Sequence, residues 1–141
     1  MTIQDIIDGI AEALFQEFGA DPEIHADKVE QGLKSNSFII RCLNPTVNKH
    51  LGNVYLRTNQ FSVQYIPSDT DPITDCNHTL ERLFSCLEDV VVLDRIIHGT
   101  ELHGEVQDDI LTFTVNYDAF VRKEPEAFTM EVLDIESEVK G

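Results

Sequence analysis

The chain has 141 residues, of which 42% are hydrophobic; that supplies one ordinary core and argues against two independent domains. Its 26 acidic and 10 basic side chains leave a net charge of −16, which opposes non-specific attraction to DNA or anionic lipid. The three cysteines, Cys42, Cys76 and Cys86, are odd in number and lack CxxC spacing, so they fit neither a disulfide framework nor a structural zinc site and read as buried thiols.

Ile3, Ile6, Ile7, Ile10, Leu14 and Phe18 recur at three- and four-residue steps, which predicts an amphipathic helix. Thr2 with Asp5 suits its start, and Gly19 followed by Asp21 and Pro22 suits its end. Ser35 to Leu43 reads as a strand, with Phe38, Ile40 and Cys42 on one face and Ile39, Arg41 and Leu43 on the other. A polar loop is expected from Asn44 to Asn53, then a strand from Val54 to Ile66, so the two strands form a long hairpin with a ten-residue tip. Ile39, Leu43, Tyr55 and Ile66 are expected on the side away from the core.

Asp71-Pro72 predicts a second helix start, with Ile73, Cys76, Leu80, Leu83, Phe84 and Leu87 as its stripe and an end near Asp89. Residues 90–97 are rich in β-branched side chains, Leu102 and Val106 alternate with polar neighbours, and Gln107-Asp108-Asp109 reads as a turn. Leu111, Phe113, Val115 and Tyr117 then make the clearest strand, a last strand is expected over residues 128–132, and residues 136–141 read as a frayed tail. The expected fold is a single α+β domain over residues 1–141: a mainly antiparallel sheet, two amphipathic helices packed on one face, and a projecting β-hairpin arm.

Between Gln31 and Ser68 there is no Asp or Glu, while Lys34, Arg41, Lys49 and Arg57 contribute +4; the remainder of the chain carries −20. A two-stranded ribbon needs burial to be stable, so this carboxylate-free arm is expected to pack on another subunit. The candidate interface residues are Arg41, Lys49, His50, Tyr55 and Arg57.

Strand alternation would place Glu101, His103 and Glu105 in a row that could offer ligands to a divalent metal, but no HExxH-like spacing accompanies it and a solvent-facing strand is the expected reading. GxSxG, Walker A, GxGxxG and papain-like cysteine signatures are absent from the sequence, so neither catalysis nor a cofactor or metal is expected. The apolar runs are far shorter than a membrane span, and Asp5, Asp8 and Glu12 interrupt the first helix as they would not a signal peptide, so a cytoplasmic protein with no membrane partner is expected.

The words Val29-Glu30-Gln31-Gly32-Leu33, residues 38–45 (FIIRCLNP), Leu51-Gly52-Asn53 with Tyr55 and Arg57, residues 61–65 (FSVQY), Leu83-Phe84, Gly99-Thr100-Glu101 with His103, and residues 113–117 (FTVNY) with Phe120 occur in an order and spacing that resembles the tail terminator, or tail completion, proteins of long-tailed phages and prophages of Gram-positive bacteria. The resemblance runs from Ile3 to about Val132. It implies a structural virion protein, assembled in the host cytoplasm as a homohexameric ring at the neck-proximal end of the tail. Its implied partners are further copies of itself, the tail tube protein and a neck or head-completion protein, with DNA passing through the ring without specific binding. The other reading of so acidic a chain is a protein-binding adaptor or a DNA-mimic inhibitor.

Overall fold

The computed structural model describes residues 2–26, 35–68 and 71–122. The expected strand over 128–132, the tail at 136–141 and the motif at 29–33 lie outside them. The fold is α+β, with helices α1 (Ile3–Phe18) and α2 (Pro72–Cys86) and strands β1 (Glu23–Ala26), β2 (Ser37–Leu51), β3 (Val54–Ile66), β4 (Asp89–Val92), β5 (Arg95–Gln107), β6 (Ile110–Tyr117) and β7 (Ala119–Arg122). The curled sheet has the order β1-β2-β3-β6-β5-β4, with β7 also paired to β3. Its pairings among the described residues are antiparallel except for β1, which runs parallel to β2 from Glu23↔Ser37 to Ala26↔Ile40.

Two compact units divide the chain: residues 1–45 with 58–118, and residues 46–57 with the segment from Ala119 onward. In the first, α1 starts with a reciprocal cap: the Thr2 hydroxyl accepts from the Asp5 amide at 3.1 Å, and the Asp5 carboxylate accepts from the Thr2 amide at 2.8 Å. Two orphan amides are thereby satisfied. Gly19, at φ +81°, ends the helix, where a side chain would be strained. Asp71 caps α2 with Pro72 in its first turn.

Both helices and the sheet supply one buried cluster. Ile6, Ile7, Ile10 and Leu14 come from α1, Cys76, Leu83 and Leu87 from α2 and its cap, and Leu111, Phe113, Val115 and Tyr117 from alternate positions of β6. The rings of Phe18, Phe38 and Tyr65 pack in series, tilted against one another, with centroids 4.9 and 4.8 Å apart. Arg82 of α2 lies 4.2 Å from the Phe18 ring centre and binds the Glu17 carboxylate at 2.9 Å, tying the two helices together at the end of α1.

Several expectations change. The polar stretch from Asn44 is strand, since β2 runs to Leu51, and the hairpin tip is only Gly52-Asn53 rather than ten residues. Gly52, at φ +59°, sits where a two-residue hairpin turn takes glycine. The helix α2 stops at Cys86 rather than Asp89, and Ile73 is 58% exposed while Thr79 is buried, because the first turn of α2 precedes its first core residue, Cys76. Residues 90–97 are two strands joined at Leu93-Asp94. Ile39 is fully buried on the side of β2 away from the main cluster. Of the thiols only Cys76 is buried; Cys42 lies where burial fades along β2 and Cys86 closes α2, and both are half-buried.

Candidate assembly interface

The second unit is built from the last part of β2, the first part of β3 and β7. The register is Val54↔Arg122, Tyr55↔Val121, Leu56↔Phe120 and Arg57↔Ala119. Residues directly opposite in an antiparallel pair share a face, so Leu56, Phe120, Val54 and Arg122 lie on one side and Tyr55, Val121, Arg57 and Ala119 on the other. Along β2, alternation puts Val47, Lys49 and Leu51 on a common side. The His50 ring packs 5.1 Å from the Phe120 ring.

The described residues of this unit hold three cations, Lys49, Arg57 and Arg122, and no carboxylate. They also expose large apolar side chains: Val47, Leu51 and Phe120 are 60%, 75% and 63% accessible. Lys49 and His50 are exposed, while Tyr55 and Arg57 are half-buried. Arg41 belongs to the first unit, half-buried on β2. The structure therefore gathers Lys49, His50, Tyr55 and Arg57 in one unit and adds Phe120, Val121 and Arg122, which sequence reasoning missed because a four-residue strand has too few positions to show alternation.

Glu101, His103 and Glu105 are exposed and alternate with half-buried Leu102, Gly104 and Val106, the solvent-facing strand expected of them, with a register shift between Thr100 and His103 where Glu101 adopts φ +53°. No group of three or more metal-ligating side chains is gathered among the described residues. A polar recess of about 260 Å³ is lined by Asn44, Thr58, Asn59, Gln60, Asn116 and Asp118. Buried Asn59 there donates to the Tyr117 carbonyl at 3.1 Å, a structural role at the end of the β3–β6 pairing.

A chain that combines an acidic α+β unit with a small unit that is cationic and partly apolar in its described residues has the makings of an assembly protein. A scan against protein-family models matches residues 5–128 to the family described as phage tail terminator protein. The chain belongs to this structural family, and so is a component of the virion tail. No curated protein matches it significantly. Among the described residues no helix is long and apolar enough to cross a membrane.

Proposed function

We propose that this chain closes the tail: it caps the finished tube as a homohexameric ring, stops its polymerisation, and offers the tail-side surface for joining to the head. The ring stands at the neck-proximal end, assembles in the host cytoplasm and binds the tube protein on one side and a neck or head-completion protein on the other. In this reading two helices cover one face of the sheet and the hairpin arm reaches a neighbour.

The observation that carries the proposal is charge layout. A closed ring uses a heterologous interface, in which one patch meets a different patch on the next copy. The unit of residues 46–57 and 119–122 is cationic and lacks carboxylates within a chain of net charge −16. Lys49, Arg57 and, from the first unit, Arg41 lie against an acidic face of the neighbour, with His50 and Tyr55 beside them. Surplus carboxylates line the channel and let DNA pass without adhering, because they offer no cations to its phosphates.

Purified protein added to polymerising tube protein should halt elongation once each tube carries one ring. A Lys49→Glu/Arg57→Glu variant should fail to halt it while keeping its helical content. Normal capping by that variant would rule out the cationic interface.

A further inference from the structure

The polar recess lies wholly within the first unit, where the β3–β6 pairing ends. Gln60 of β3 stands directly opposite Asn116 of β6, so the two share a face of the sheet, and alternation puts Thr58 and Asp118, two residues further along each chain, on that face as well. Asn44 reaches the recess from β2 in a left-handed conformation, φ +46°, although the residue ahead of a proline is pushed towards extended backbone. Such strain gathers at ligand clamps and other functional sites.

Two oxygens here have no partner. Beyond the last pair, Gln60↔Asn116, the Asn59 side chain stands in for a ladder bond, its Nδ2 donating to the Tyr117 carbonyl at 3.1 Å. That bond fixes the amide and turns Oδ1 the other way. Asn59 is only 2% exposed, and its Oδ1 accepts no hydrogen bond among the described residues. The buried Oδ1 of Asn116 is likewise unbonded among them. Buried acceptors without a donor are destabilising, so two of them at one recess ask for a ligand that brings donors or positive charge. Exposed Asp118 adds the one carboxylate of the lining.

We propose that this recess binds a calcium ion. Histidine, cysteine and acidic side chains gather nowhere in threes among the described residues, which leaves no imidazole or thiolate set for zinc or copper. Calcium needs none: it takes about six to eight oxygens, and carboxamide carbonyls serve it beside carboxylates and water. Asn44, Asn59, Gln60 and Asn116 offer carboxamides, Thr58 a hydroxyl and Asp118 a carboxylate, and the chain's charge of −16 concentrates cations around it. With a single carboxylate the affinity belongs in the weak range, about 10⁻⁴–10⁻³ M. Magnesium fits less well, since it demands a tighter octahedral shell and gives up water reluctantly. The ion ties β2, β3 and the end of β6 together next to the points where the chain leaves the first unit, after Pro45, before Thr58 and after Asp118.

Calorimetric titration of the full chain, stripped with a chelator, should show one calcium site that an equal concentration of magnesium does not displace. In heteronuclear NMR spectra the side-chain amide signals of Asn59, Gln60 and Asn116 should shift together along one saturation curve as calcium is added. Those of Gln4 and Asn77, exposed on α1 and α2, should stay in place. Asp118→Asn should weaken binding at least ten-fold, whereas Asp108→Asn, which removes an exposed carboxylate from the β5–β6 turn, should leave it unchanged.

Absence of calcium binding up to about 10 mM, well above that weak range, would leave the recess to water and overturn the proposal. Calcium and magnesium bound alike, and indifferently to Asp118→Asn, would mark a merely carboxylate-rich surface and overturn it too. So would amide shifts that saturate elsewhere in the chain. The NMR titration uses the parent chain, so the test holds even if Asp118→Asn does not fold, and none of these readouts depends on the capping function.

Discussion

The Tyr65 hydroxyl donates to Asp75 Oδ2 at 2.9 Å, and the same oxygen accepts from the Ser68 amide at 3.1 Å. Burial, and then the hydrogen bond to the Asp75 carboxylate, push the Tyr65 phenol up to about 12. Tyr117, buried and donating to the Leu87 carbonyl, is raised as well. An unfolded tyrosine loses its proton near pH ~10, so between that value and about 12 the folded state holds a proton that the unfolded state has released. This stabilisation is complete below the lower value and disappears as pH rises through the higher one. Stability measured by urea unfolding should therefore fall across that window. Tyr65→Phe should lose about 1 kcal/mol at neutral pH through its missing hydrogen bond, with a shallower alkaline decline. Full phenolate absorbance from all three tyrosines at pH ~11 would contradict this. Burial also pushes the Cys86 thiol up to about 12, with Glu17 adding to the shift. Its alkylation at mildly alkaline pH should accordingly be slow, for want of thiolate.

Both helices were legible from their stripes and caps, because the 3.6-residue period and the Thr2 and Asp71 capping positions act locally. So was the alternation of β6, and the turn at Asp108-Asp109, whose positive φ values asparagine and aspartate tolerate. The hairpin at Leu93-Asp94 was hidden because leucine carries no turn signal. The second half of β2 was hidden because its exposed polar residues, from Asn44 on, show no buried face. Replacing Leu93 by Asn should relieve strain and raise stability by about 1 kcal/mol; a fall in melting temperature would contradict the strain. Gly9 is a different case. A β-carbon there would come within 2.8 Å of the Val92 side chain and 2.9 Å of the Val91 carbonyl. Overpacking costs about 1–3 kcal/mol, against a helix-propensity gain near 1 kcal/mol for alanine. Gly9→Ala should therefore be net destabilising, with β4 protection in hydrogen exchange reduced first; an unchanged unfolding midpoint would show that the contact yields.

For the whole molecule, the family match over residues 5–128 and the division of charge bear on the same function. The second unit was legible in part: the absence of carboxylates marked the region of Lys49, His50, Tyr55 and Arg57, but not β7, and nothing in the sequence separated Arg41 into the other unit. Which side chains stay exposed after folding is a property of packing, so Val91, Ile96 and Phe120 read in sequence as core or strand residues. In the proposed ring, association of copies should weaken as salt rises, since it would pair a cationic unit with acidic side chains. The central claim is that this chain ends tail growth. Its most direct test is the distribution of tail lengths, by negative-stain microscopy, in lysates of the phage with and without the gene for this chain. The account predicts uniform tails with it, and over-long tubes without heads in its absence. Tails of normal length joined to heads in the absence of the chain would contradict it.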